Sequence, residues 1–412
     1  MPKWRWILSQ LNEKIWFRTT LFCAIGIFTA LFAPLVKDYI PENYAHNIGA
    51  QAVDSILQII ATSMLTVTVF SLNTMVTTYA TISASATPRA TELLLKDSTA
   101  QNALSTFIGA FLYSLVGIVA LRIDVYGQSG RLVLFVVTLG VIFVIIAVLI
   151  RWVNRLARLG RVGETINMVE QAAKKAIKQR IDQPCLGGTL LENDIAFEKH
   201  YAITHPTIGF IQHIDMAQLS QLADKHNLEL FIKTPPGCFN DSHAPILYST
   251  MALSSDEEQL IRKAFSINDC RSFDQDPRYG LIVLSEIASR ALSPAMNDPG
   301  TAIDVIDTAL RLLVPWIKPH HEEEEDVLFP RIHVPAVQTE DLFKDLFMPI
   351  ARDGAHILEV GIRLQKAYAS LASMGNETCK NMAKVHSALS QKRALSALTL
   401  QEEKEIIKKY AL

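Results

Sequence analysis

The first 150 residues contain four stretches without a single Asp, Glu, Lys, Arg or His: 19–36, 55–88, 98–121 and 132–150. Each meets the roughly 18 to 20 residues that a helix rising about 1.5 Å per residue needs to cross about 30 Å of hydrocarbon. The pattern predicts four transmembrane helices, the first an uncleaved anchor because Ala33-Pro34-Leu35 makes no small-residue cleavage site. Beyond residue 150 the continuous apolar runs give way to amphipathic ones. Residues 151–182 read as a basic helix continuing the last span, with Trp152, Leu156, Leu159, Ile166, Val169 and Ile177 as its stripe. The arginines there are expected at lipid phosphates.

Residues 183–254 read as a small α+β module. Gln183-Pro184 and Gly187-Gly188 mark a linker, and strands are expected at 208–213, 228–233 and 246–249. Asp215 caps a helix over 216–226, and Pro235-Pro236-Gly237 turns the chain. From 255 to 412 the pattern is helical almost to the end, with capping boxes at Ser255/Glu258 and Thr399/Glu402. The expected fold is a membrane protein: a four-span α-helical bundle (19–150) behind a short interfacial segment (1–18), followed by a mixed α+β, mainly helical cytoplasmic domain.

Composition agrees with this division, since 50% of the residues are hydrophobic and only 19% charged, below the roughly 25% of soluble domains. A net charge of -2 leaves no basic excess for nucleic acid. Five scattered cysteines, Cys23, Cys185, Cys238, Cys270 and Cys379, form neither a disulfide framework nor a zinc ribbon and read as reduced thiols. Lys3, Arg5, Lys14, Arg18, Arg89, Lys96, Arg151, Arg155, Arg158 and Arg161 flank one side of the spans, against Lys37, Arg122 and Arg131 on the other. Positive charge stays inside, so both termini are expected in the cytoplasm. Trp4, Trp6, Trp16 and Trp152 stand where interfacial anchors would.

The second span is unusual. As one helix it runs to about 50 Å, too long for a perpendicular crossing. At about 100° per residue, Thr62, Ser63, Thr66, Asn73, Thr74, Thr77, Thr78 and Thr81 share one half, and Met64, Leu65, Leu72, Met75, Val76, Tyr79 and Ile82 the other. Two readings are open. Hydroxyls bond back to their own helix and let neighbours pack closely. Alternatively, several subunits turn Thr62, Thr66, Asn73, Thr77 and Thr81 toward an axis, with Ile59 or Phe70 as an apolar constriction. One four-helix bundle is too small to enclose water, so the conduit requires a homo-oligomer. Without charged residues in the spans, passive passage of ions or small solutes fits better than pumping.

Two stretches carry a likeness. One is Thr87-Pro88-Arg89 with Asp97 and the segment from Gly109 to Tyr113; the other is Asp276-Pro277-Arg278-Tyr279-Gly280 followed by Arg290 through Ala302. Together they resemble a bacterial family of predicted multi-span membrane proteins known only as domain of unknown function 2254. The resemblance covers nearly the whole chain and implies the layout and a bacterial inner-membrane location. It transfers no catalytic residue and no cofactor.

Read physically, the second stretch is a helix junction: Ser293-Pro294 stops one helix, Asn297 or Asp298 accepts the next helix's free amides, and Pro299 suits its first turn. A ligand reading notes Asp276, Asp298, Asp304 and Asp307 near it, as carboxylates for a hard cation, or the helix N-terminus as an anion site. The run from Pro319 to Asp326, with His333, has no zinc spacing and reads as a solvated acidic loop. The remaining histidines have no nucleophile to serve, and no catalytic constellation is assigned. The partners expected are membrane lipids, further copies of the chain and a small ion or solute. The alternative function is a non-conducting membrane-anchored scaffold or sensor, with a membrane-attached hydrolase third.

Overall fold

The computed structural model describes residues 6, 15–36, 50–123, 127–192, 195–318 and 327–412. The chain divides into a helical unit, residues 7–83 and 91–161, and a mixed unit that takes Trp6, residues 84–90 and residues 162–412.

The helical unit contains α1 (Ile15–Val36), most of α2 (Ala50–Ser85), most of α3 (Pro88–Leu95), α4 (Ser98–Arg122) and α5 (Gly127–Leu156). Among the described residues three helices are long and apolar enough to cross a membrane: Gln51–Ser85, Ser98–Arg122 and Gly130–Leu156. The first expected span is helical, but its apolar run is the shorter Trp16–Thr29, so by length and composition three of the four expected spans stand. Helix α2 is unbroken, about 54 Å long at the standard rise.

Its neighbours meet through small residues. A side chain at Gly26 would strike the Gly109 carbonyl, and one at Gly109 the Phe22 carbonyl, so α1 and α4 lie backbone to backbone. Several buried polar groups inside the unit are paired with one another. Trp152 donates its indole N–H to the Ser71 hydroxyl at 2.9 Å, and Tyr113 donates its hydroxyl at 2.9 Å to Thr138, whose own proton goes to the Leu134 carbonyl. Trp152 is thus 2% exposed and fixes α5 to α2, correcting its expected place as an interfacial anchor. Arg155 is likewise not left to lipid: it meets Asp97, the N-cap of α4, at 2.7 Å.

The mixed unit begins at α6 (Val162–Asp182), which does not continue α5. The chain turns at Gly160, whose φ of +87° few other residues adopt, splitting the single basic helix expected there. Next come β1 (Gly188–Leu190), where a linker was expected, β2 (Tyr201–Ile203), β3 (Gly209–Ile214), α7 (Met216–His226), β4 (Leu230–Ile232), β5 (Phe239–Asn240) and β6 (Leu247–Ser249). Asp215 caps α7 as expected, its carboxylate accepting from the Gln218 amide, and Asn227 at φ +52° ends it. Helix α8 (Ser255–Ala264) is capped one residue earlier than expected, by Ser254 and Glu257, because Ser254 is the extended residue. The final helix has Leu400 at its cap and no side-chain bond there, so Thr399 plays no such part.

The region from 255 onward is not purely helical. Strands β7 (Phe265–Asn268) and β8 (Phe329–Val334) complete two sheets, with strand orders β1-β8-β4-β6-β2 and β5-β3-β7. Strand β8 runs parallel to both β1 and β4, so the five-stranded sheet needs a strand about 80 residues beyond the expected end of the module. Alternation places Ile203, Leu230, Ile232, Leu247, Ile332 and Val334 in one core with Ile211, Ile214, Met216 and Leu219. Each such side chain is worth roughly 1.5–3 kcal/mol when fully buried.

The helical remainder is α9 (Pro277–Ala291), α10 (Pro299–Ile317), α11 (Thr339–Asp353), α12 (Leu358–Met374), α13 (Glu377–Ala397) and α14 (Gln401–Tyr410). Gly280 lets α9 cross α6 at Ala173, where any Cβ would overlap the alanine methyl. Phe343, Phe347 and Tyr368 fill the core between α11 and α12, with His386 of α13 5.6 Å from the Phe343 ring.

Burial, with Lys344 and Arg393 nearby and only Glu340 opposing, holds the His386 imidazole below its ordinary value of 6.5. Protonation is therefore harder in the folded chain than in the unfolded one. The contribution is whole above about pH 6.5 and is lost as pH falls below it. Thermal unfolding of the purified chain between about pH 7.5 and about pH 5 is expected to show a falling midpoint that His386→Phe flattens; an equal slope in the variant contradicts the assignment.

Candidate functional site

Helix α2 presents two opposite stripes. Val53, Leu57, Ile60, Met64, Thr68, Ser71, Met75 and Ile82 are buried in the helical unit. About 200° round from Met64 begins the other, on which Ile59, Thr62, Thr66, Phe70, Asn73, Thr77 and Thr81 are all exposed. Every expected conduit residue thus lies on one uncovered strip, and Ile59 and Phe70, at 65% and 63% exposure, are its apolar members. The expected apolar half is mixed: Met64, Met75 and Ile82 are buried, whereas Leu65, Leu72 and Val76 are exposed.

The strip has a regularity that composition alone did not reveal. Ile59, Phe70 and Thr81 are spaced by eleven residues, as are Thr62 and Asn73, and Thr66 and Thr77. Three turns in eleven residues is about 3.67 per turn, close enough to the helix's own period to keep one face straight over the whole length.

Its hydroxyls bond back along the helix. Thr62 donates to the Gln58 carbonyl at 2.9 Å, Thr66 to Thr62 at 2.9 Å, Thr77 to Asn73 at 3.0 Å and Thr81 to Thr77 at 2.9 Å. Each donor is satisfied locally while the oxygen can still accept. Asn73 differs. Its amide is exposed about 18 Å in from the end of α2 and makes no side-chain hydrogen bond among the described residues.

The C-terminal end of α2 enters the mixed unit, where α9 holds the segment 84–90. Glu286 and Arg290, one turn apart on α9, do this together. Thr87, 4% exposed, donates its hydroxyl to Glu286 at 2.9 Å; Arg89 forms an ion pair with the same carboxylate; Arg290 donates to the Ala84 carbonyl at 2.8 Å. Thr87 and Arg89 of the first stretch that carried the likeness and Arg290 of the second all take part in this hold. Arg290 lies within the stretch that carried the likeness, whereas Glu286, four positions before it, falls between its two parts.

The second group of expected residues does not form one site. Asp276 caps the start of α9, 2% exposed, with its carboxylate on Arg271 at 2.6 Å and on the Arg278 amide at 3.1 Å. Gly237 passes this carboxylate at φ +91°, where a Cβ would overlap it. Arg278 reaches Asp345 at 2.7 Å and Asp341 at 2.8 Å. Ser293, Asn297 and Asp298 lie beyond the other end of α9, about 22 Å along the helix. There Asp298 accepts from the Thr301 amide at 3.1 Å and its hydroxyl at 2.7 Å, Ser293 donates to the Arg290 carbonyl at 2.7 Å, and Asn297 takes φ +48°.

Asp307 pairs with Arg363 of α12, and the Asp304 carbonyl accepts from Thr308 at 2.9 Å. The geometry is that of a junction built by caps. No group of three or more His, Cys, Asp or Glu among the described residues is placed to hold a metal ion. The acidic run 319–326 lies outside the described residues, and His333 stacks on Phe231 with Glu229 3.2 Å away.

Comparison with known proteins places these features in a family context. Uncharacterised proteins of Mycobacterium bovis and Mycobacterium tuberculosis are each 24% identical to the chain over 320 residues, 73% of this chain and 60% of theirs. The chain thus spans less than two thirds of the length of these curated relatives. No solved structure matches it. Residues 12–370 match the family described as predicted membrane protein (DUF2254), and with that span covering most of its length the chain belongs to this family of membrane proteins of unknown function.

Proposed function

We propose that the chain is a four-span protein of the bacterial inner membrane, with both termini in the cytoplasm, and that copies assemble about an axis into a passive, channel-like path. Ions or small solutes pass along Thr62, Thr66, Asn73, Thr77 and Thr81, with Ile59 and Phe70 narrowing the way. The exposed amide of Asn73 carries this reading. Inside hydrocarbon an amide without a partner costs several kcal/mol, and the described residues of the chain supply none. Water or a second copy of the same strip supplies one.

Three further observations support it. The eleven-residue spacing lets identical strips meet along their length with a slight right-handed supercoil. The strip's oxygens present acceptors and no fixed charge, as passive permeation requires. The close approach of α1 to α4 at Gly26 and Gly109 is the packing of neighbouring spans, which favours counting α1 as the fourth.

The mixed unit then serves as the cytoplasmic assembly or gating domain, acting through the segment 84–90 at the end of α2. A rigid grip on one end of a lining helix is a means of tilting or rotating it.

In liposomes the wild-type chain is expected to conduct, and Asn73→Leu or Thr66→Leu to lower flux about tenfold, equivalent to about 1.4 kcal/mol of added barrier. Wild-type liposomes without flux contradict permeation and favour a non-conducting scaffold. For the grip, Arg290→Ala and Glu286→Ala are expected to change flux severalfold while leaving the preference among permeants untouched. Wild-type flux in both variants removes the gating role.

A further inference from the structure

The last turns of α11 and α13 border a cleft of about 380 Å³ walled by Arg352, Ala355, Leu389, Lys392, Arg393 and Ser396. The volume is within the roughly 300–1,000 Å³ of small-molecule sites. Leu389, Lys392, Arg393 and Ser396 fall on one face of α13 by their spacing of three, four and seven residues, and Arg352 comes from across the cleft.

Half of this wall is cationic, and only one of the three cations is paired with a carboxylate. Arg352 binds Asp353 through Nε at 2.6 Å and Nη2 at 3.0 Å. Arg393 donates Nη1 to the Met348 carbonyl at 2.9 Å, which anchors the guanidinium without neutralising it. Lys392 is exposed and has no hydrogen bond or ion pair among the described residues. Three positive groups and one negative leave a local charge of +2. The Ser396 hydroxyl adds a donor, and Ala355 and Leu389 supply a small apolar wall.

Guanidinium forks match the oxygen geometry of phosphate, and an ammonium adds a mobile point charge. A dianionic phosphate offsets the +2 in one step, where a single carboxylate leaves half of it standing. We infer that this cleft binds a phosphate-bearing small molecule, its phosphate between Arg352, Lys392 and Arg393 and its uncharged portion against Ala355 and Leu389. The site stands apart from the strip on α2 and does not depend on permeation. The same phosphate chemistry is offered by soluble phosphate esters and by lipid headgroups.

Calorimetric titration of the detergent-purified full chain separates the sources, with inorganic pyrophosphate as the soluble probe and dihexanoyl phosphatidic acid as the headgroup probe. At least one is expected to bind with a Kd below about 1 mM and to weaken as salt is raised. Tighter pyrophosphate binding identifies a soluble ligand, and tighter phosphatidic acid binding a lipid. Lys392→Ala with Arg352→Ala is expected to weaken binding at least tenfold, whereas Lys392→Arg retains it. Lys392→Ala alone, at an exposed unpaired residue, keeps the test valid should the double variant unfold, and is expected to lose severalfold. Failure of both probes to bind, or equal binding by wild type and Lys392→Ala, overturns the site.

Discussion

A polar group in hydrocarbon needs a partner, and that constraint shapes the helical unit of this protein. Where α2 faces its own bundle two polar groups are met inside the chain: Ser71 takes the Trp152 indole N–H, and Thr68 donates to the Met64 carbonyl. Elsewhere in the unit Thr138 joins Tyr113, and Asp97 holds Arg155. On the opposite side of α2 the hydroxyls are met only in part, through their own helix, and the Asn73 amide makes no side-chain hydrogen bond among the described residues. The family assignment says that this is a membrane protein; the unequal treatment of the two stripes is what points beyond the single chain.

The mixed unit has its own chain of support. Residues 84–90 leave α2 and are gripped by Glu286 and Arg290 of α9, whose position depends in turn on close packing against α6 at Gly280 and on the Asp276 cap with its two arginines. The carboxylates first read as a possible cation site are therefore distributed along this support. Asp276 begins α9, Asp298 begins α10, and Asp307 joins α10 to α12. Their charges are answered by arginines and helix amides.

What was legible in the sequence followed from local periodicity. The apolar runs, the polar strip of α2, the Asp215 and Asp298 caps and the proline start of α10 depend on residues a few positions apart. What escaped depended on distant partners. Strand β8 contains Pro330 and Arg331 and only two fully buried apolar residues, and its pairing with β1 and β4 spans more than 95 residues of chain, so nothing local marked it as central. Ser254 and Ser255 each precede a glutamate by three positions, and only backbone geometry chose between them. Trp152 and Arg155 carried the signature of an interface in composition, yet each has a polar partner distant in sequence, buried Ser71 on α2 and half-buried Asp97 at the cap of α4.

The central claim is that the strip from Ile59 to Thr81 faces water at a shared axis. Electron cryo-microscopy of the complex, purified in detergent and again in lipid nanodiscs, examines this directly. The account predicts a closed symmetric ring whose axis is lined by Thr62, Thr66, Asn73, Thr77 and Thr81 and contains water. A monomer, or a ring with that strip turned to lipid or packed dry against neighbouring helices, contradicts it.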